Sequence, residues 1–129
     1  VGKTNPLQAQ WVSPGRFNWH GLELTCQQSS ALTLGETVTL ALRPEDIVLH
    51  AGETPLAEAT NRYAAKVQDL EFLGAFCRVR MHLPLNGQTL WADVPSAQAW
   101  RMGLHSQPHL AIDLPADRLR VFSPSAKVL

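Results

Sequence analysis

Thr39-Leu40-Ala41-Leu42-Arg43-Pro44-Glu45-Asp46-Ile47-Val48-Leu49 has an echo in His109-Leu110-Ala111-Ile112-Asp113-Leu114-Pro115-Ala116-Asp117-Arg118-Leu119-Arg120-Val121. Both read as an alternating apolar strand, a Pro-x-Asp turn and a second short strand, in a register that needs small insertions. A further strand precedes each copy (22–27 and 88–94), and so does a glycine, Gly35 or Gly103. A unit this short cannot bury a core alone, so the repeat implies two related half-barrels that share one. The first covers about 5–52 and the second about 61–123. They join through the polar stretch Gly52 to Asn61.

Outward from this repeat, period-two alternation runs along the whole chain. Strands are expected at 7–12, 16–20, 22–27, 37–43, 47–50, 62–71, 75–83, 88–94, 108–113 and 118–122. Turn sequences separate them: Ser13-Pro14-Gly15, Leu34-Gly35-Glu36, Ala51-Gly52-Glu53, Asn86-Gly87 and Leu114-Pro115-Ala116-Asp117. Asn86-Gly87 between alternating runs predicts a type I′ hairpin, because both residues tolerate positive φ. Only 95–102 reads as a helix, with Pro95 and Ser96 at its start and Gly103 at its end. The expected class is all-β, a small antiparallel barrel with one short helix.

The 129 residues suit a single region, long enough to bury roughly two thirds of the unfolded surface without a disulfide or a metal. Eleven basic and eleven acidic residues balance, which excludes a strong general pull on nucleic acid or an anionic membrane. No apolar run approaches a membrane span, and the start lacks the apolar core of a signal peptide. The first residue is Val1 rather than Met, so the chain is expected to be a piece of something longer.

Several apparent motifs lead nowhere. Gly2-Lys3-Thr4 matches only the tail of a phosphate-binding loop, and Pro6 turns Asn5 away from the helix such a loop requires. His105 and His109 are four apart, but Pro108 intervenes and neither cysteine stands at ligand spacing, so no metal site is expected. Glu45-Asp46 falls in a turn, Asp69 and Glu71 share a solvated strand face, and none of the seven serines lies in a Gly-x-Ser-x-Gly elbow. No catalytic constellation emerges. Cys26 and Cys77 fall in register with apolar neighbours and read as buried free thiols. Phe76, Arg78, Arg80 and His82 line one strand face, the single arrangement resembling a nucleic-acid platform. Trp19 and Trp91 alternate with core positions in their strands. Some of the four tryptophan rings are therefore expected on the outer face, covered by a partner or a second copy, or else capping the barrel ends within one chain.

Val1-Gly2-x-x-Asn5, Arg43-Pro44-Glu45-Asp46-Ile47 and Phe72-Leu73-Gly74, in that order, resemble the C-terminal TOBE region of ABC-importer ATPase subunits. The resemblance covers nearly the whole chain and implies two OB-like half-barrels. It also implies a non-catalytic regulatory and dimerising role, with Asn5, Arg43, Pro44, Glu45, Asp46, Trp19 and Trp91 as candidate interface or regulatory residues. The implied partners are a second copy, an upstream ATPase domain that holds ATP and Mg, and, indirectly, membrane permease subunits. The implied location is the cytoplasmic face of the cell membrane. In relatives that handle oxyanions such as molybdate the barrels bind the ion, although no Ser/Thr/Lys cluster here specifies such a pocket. A small-anion or solute sensor is the alternative reading, and an OB-fold nucleic-acid binder a further one.

Overall fold

The computed structural model describes residues 4–28, 32–52 and 59–122. They form ten strands, β1 (Asn5–Ser13), β2 (Arg16–Trp19), β3 (Leu22–Thr25), β4 (Thr37–Leu42), β5 (Val48–His50), β6 (Arg62–Phe72), β7 (Phe76–His82), β8 (Thr89–Pro95), β9 (His109–Asp113) and β10 (Arg120–Phe122), with one short helix, α1 (Ser96–Arg101). Each strand overlaps a run whose alternation predicted it, although β1, β6 and β8 extend beyond the expected bounds. The cause is visible in β4 and β7, where Val38, Leu40 and Leu42, and Cys77, Val79 and Met81, all point into the core while their neighbours do not.

The strands make two five-stranded antiparallel sheets, in the orders β10-β4-β1-β2-β3 and β5-β9-β6-β7-β8. The sheets curl into two half-barrels, hereafter the first and second lobes, over one continuous apolar core. Their composition shows an exchange. β5 belongs to the first copy of the repeat but pairs with β9, and β10 belongs to the second copy but pairs with β4. The stretch expected to join the halves separates two chain segments, therefore, but not the two sheets. Residues 53–58 of that stretch lie outside the described residues.

Registers in the two lobes coincide. Leu7 faces Leu40 as Tyr63 faces Ile112, and Ala9 faces Val38 as Ala65 faces Leu110. A bulge between Trp11 and Ser13 matches one between Val67 and Asp69. Arg120 faces Ala41 as Val48 faces Asp113. Superposed this way, Leu42 falls on Leu114 and Arg43 on Pro115, so the copies align without the insertions that matching the prolines suggested. The second lobe then departs. Its β6–β7 hairpin runs on past the Asp69–Arg80 pair to Phe72–Cys77, whereas the β1–β2 hairpin closes at Ser13–Arg16.

One turn differs from expectation. Leu83 N–H donates to Gln88 O and Gly87 N–H to Leu83 O, which makes Pro84–Gly87 a four-residue loop with positive φ at Gly87 and not at Asn86. Asn86 is instead held by its side chain, which donates to Trp19 O in the other lobe and accepts from Gln88 N–H. The two-residue turn with positive φ at both positions is His20-Gly21, between the paired Trp19 and Leu22. Asn18 Oδ1 accepts from Gly21 N–H and helps hold it.

Candidate functional site

Where the lobes meet, two asparagines occupy matched places. Asn5 is 2% exposed. Its amide donates to Leu42 O (3.3 Å) and Trp91 O (2.8 Å) and accepts from Trp91 N–H (2.8 Å). Asn61 is 7% exposed and donates to Leu114 O (2.8 Å) and Thr25 O (2.6 Å), accepting from Thr25 N–H (2.8 Å). Each satisfies a carbonyl at or just past the end of a neighbouring strand in its own lobe (β4 or β9) and both polar groups of one residue on the edge strand of the other, a need that burial makes strict. Asn5 therefore acts as an interlobe clamp. Asn61, seen in the sequence only as the end of a polar join, is its twin, and the pairing needs the strand registers to be recognised.

The Arg43-Pro44-Glu45-Asp46 segment is the crossover from β4 in the first lobe to β5 in the second. Pro44–Asp46 form one 3-10 turn, closed by Asp46 N–H to Arg43 O (3.0 Å), that packs against β8. Pro44 is buried, and its fixed φ suits this sharp change of direction. Arg43 and Glu45 are exposed and Asp46 half-buried. The matching turn carries the chain back from β9 to β10, closed by Arg118 N–H to Pro115 O (3.0 Å). Beside the first crossover lies a cleft of about 330 Å³, lined among others by Ala41, Arg43, Asp46, Arg118, Arg120 and Phe122.

The two tryptophans expected outside part company. Trp19 is only 1% exposed, because Phe17 and Trp19 together form the inward face of β2. Its ring meets Tyr63 edge-on at 6.0 Å, and its indole N–H, buried, has no hydrogen-bond partner among the described residues. The expectation failed because β2 spans only four residues, too few to fix which set points inward. Trp91 alternates with buried Leu90 and Ala92 and is half-buried on β8. The exposed indole is Trp100, on α1 at 56% exposure. It stacks on Phe72 at 5.2 Å and meets His105 at 4.6 Å. Leu73 and Phe76, also exposed, stand at the tip of the extended hairpin, which is tied to α1 by Ser96 Oγ donating to Gly74 O.

Charged groups are mostly used structurally. Asp113 accepts from Arg62 Nε (2.7 Å) and Nη2 (3.0 Å), and its other contact is His50 Nε2 (2.8 Å). Burial pushes its carboxyl up, but hydrogen bonds from Arg62 and His50, with their charges, outweigh this and hold it below the usual carboxylate range. Arg78 pairs two-pronged with Asp93 and lies 5.7 Å from the Phe76 ring centre, so the strand face that resembled a nucleic-acid platform has one guanidinium already engaged. Cys26 and Cys77 are buried and free, and burial raises both thiols, which disfavours the reactive thiolate. Among the described residues no group of three or more His, Cys, Asp or Glu could hold a metal ion, and no helix is long and apolar enough to cross a membrane.

Residues 40–122 match the family model described as the TOBE domain. The "Fe(3+) ions import ATP-binding protein FbpC 2" of Rhizobium meliloti (strain 1021) is 28% identical over 131 residues, covering 95% of this chain and 33% of that protein. The "Sulfate/thiosulfate import ATP-binding protein CysA 2" of Chromobacterium violaceum is 32% identical over 92 residues, covering 70% of this chain and 24% of that protein. The chain thus spans about a third or less of the length of these relatives. Among solved structures, the cytoplasmic molybdate-binding protein ModG superposes with a TM-score of 0.81 over 93% of this chain and 96% of ModG, at 14% identity. That likeness shows a shared architecture of OB-like half-barrels.

Proposed function

The chain belongs to the TOBE domain family, and from that membership we propose that it is the non-catalytic regulatory and dimerising domain of an ABC-importer ATP-binding subunit. Both curated relatives are import ATP-binding proteins whose length beyond the matched part leaves room for the ATPase. In this reading ATP and magnesium act in a preceding domain, permease subunits are reached through it, and the assembly sits at the cytoplasmic face of the membrane. The domain's own task is to hold two subunits in register.

The observation that carries the dimerising role is the exposed stack of Phe72 on Trp100, with Leu73 and Phe76 exposed at the tip of the same hairpin. It is confined to the hairpin and helix that the second lobe adds to an otherwise repeated plan. Exposed aromatic clusters on small domains mark contact surfaces, and zero net charge leaves two copies without general repulsion. Sedimentation equilibrium on the chain tests this: a dimer is expected at high micromolar concentration, and a monomer there overturns the reading.

A further inference from the structure

The outer faces of the two lobes are built alike at one place and filled differently. In the second lobe the Asp113 carboxylate lies on β9 between Arg62 and His50 and closes that surface with its own negative charge. The matching position on β4 is Ala41, which faces Pro6 and Arg120 where Asp113 faces Arg62 and Val48. A guanidinium again stands directly across a strand pair, on the same sheet face. It comes from the opposite neighbour, and no carboxylate meets it. The cleft of about 330 Å³ opens over this position.

We propose that this cleft binds a small polycarboxylate, one of whose carboxylates takes the place over Ala41 that Asp113 fills in the second lobe. Arg43, Arg118 and Arg120 line it against a single acid, Asp46, so its charge calls for a multivalent anion. Among the described residues the side chains of Arg43 and Arg118 make no hydrogen bond or ion pair. Arg120 spends only Nη1, on the Asp117 and Leu119 carbonyls. Its remaining donors, with those of Arg43 and Arg118, suit the planar, two-pronged acceptor that a carboxylate offers. The half-exposed ring of Phe122 forms an apolar wall, which favours an anion with a carbon skeleton over a bare inorganic one. The site does not depend on the dimeric reading above, and it lies on an outer sheet face.

Calorimetric titration of the chain with citrate, phosphate, sulfate and chloride at matched ionic strength tests the proposal. Citrate is expected to bind one per chain and more tightly than the inorganic ions. Ala41→Asp, which supplies the carboxylate internally, and Arg118→Gln should each weaken citrate about tenfold or more. The Arg118 side chain is exposed and makes no hydrogen bond or ion pair among the described residues, so that variant keeps its fold, checked by circular dichroism, and separates lost binding from lost structure. Citrate binding no tighter than chloride overturns the site, sulfate or phosphate binding tighter than citrate overturns its carboxylate character, and unchanged citrate binding in both variants overturns its location.

Discussion

The two lobes share strand order, registers, a bulge and a clamping asparagine, yet they differ at one core position (Trp19 against Leu83), in the charge on the outer face, and in the length of one hairpin. What they share is what the fold needs. Backbone groups at the lobe seam must be paired in both directions, and a two-fold arrangement does this with one device used twice. What they do not share is under no such constraint, so it is where activity has room to develop. The exchange of β5 and β10 adds that neither lobe is complete without the other's last strand, which makes the pair one folding unit.

The core position Trp19, matched by Leu83, offers the harshest test of that unity. Trp19→Ala should cost about 4 kcal/mol and Leu83→Ala about 3 kcal/mol, both by opening cavities in a fully buried site. Trp19→Phe should stay within about 1.5 kcal/mol, because removing a buried indole N–H without a partner offsets part of the lost ring area. Urea unfolding midpoints decide it. Because the lobes form one unit, each variant should still unfold in a single transition, and two separated transitions would show that the lobes fold independently.

Next come the clamps. Asn5→Ala removes three hydrogen bonds to buried or part-buried backbone groups, for a cost of about 3 kcal/mol. Asn61→Ala removes three as well and adds about 1 kcal/mol, since Asn61 sits at φ 57, where alanine is strained. Asn61→Gly should recover that last increment and no more. The same urea series reads all three, and a large inequality between Asn5→Ala and Asn61→Gly would end the claim that the clamps are equivalent.

All ten strands and the helix were legible in the sequence, because most strands bury one face and alternate accordingly, as Cys77 to Leu83 does. Legibility ended where distant residues decide. Trp19 lies on a four-residue strand beside Phe17, and only the packing against Tyr63 fixes its direction. The I′ turn at His20-Gly21 went unseen because His is an uncommon first residue there, and Asn18 supplies the support. Asn5 was noticed for its place in a motif rather than for its bonds. Asn61 has no local signal at all, because its partners lie 36 and 53 residues away. The cleft at Ala41 depends on an exchanged strand that bare alternation does not reveal.

A smaller effect separates the outer faces by pH. The Asp113 carboxyl is held below its ordinary value of about 3.9, so its ionised form stabilises the fold above that pH, and the stabilisation is lost as pH falls through the lower folded value. Asp113→Asn should therefore cost about 1–2 kcal/mol at pH 7 and narrow its gap from the wild type below about pH 4. Ala41→Asp should show the converse in miniature, a gain of about 0.5 kcal/mol at pH 7 from the facing Arg120 that disappears in acid. Thermal unfolding from pH 7 to pH 3 follows both, and parallel pH curves for wild type and Asp113→Asn would remove Asp113 as the source of acid sensitivity.

The extended hairpin should matter least to folding and most to association. Leu73 is 41% exposed at its tip, and Val12, 45% exposed, lies near the end of β1 on the short hairpin of the first lobe. Replacing either by serine removes a similar exposed apolar group, so each should change stability by about 0.5 kcal/mol or less. Their effects on sedimentation should diverge: Leu73→Ser should weaken the dimer about tenfold, a loss within the range for one apolar contact at the centre of an interface, while Val12→Ser leaves it unchanged. Equal effects would mean that the dimer ignores the difference between the lobes. A loss confined to Val12→Ser would move the contact to the first lobe and leave the added aromatic surface for a different partner.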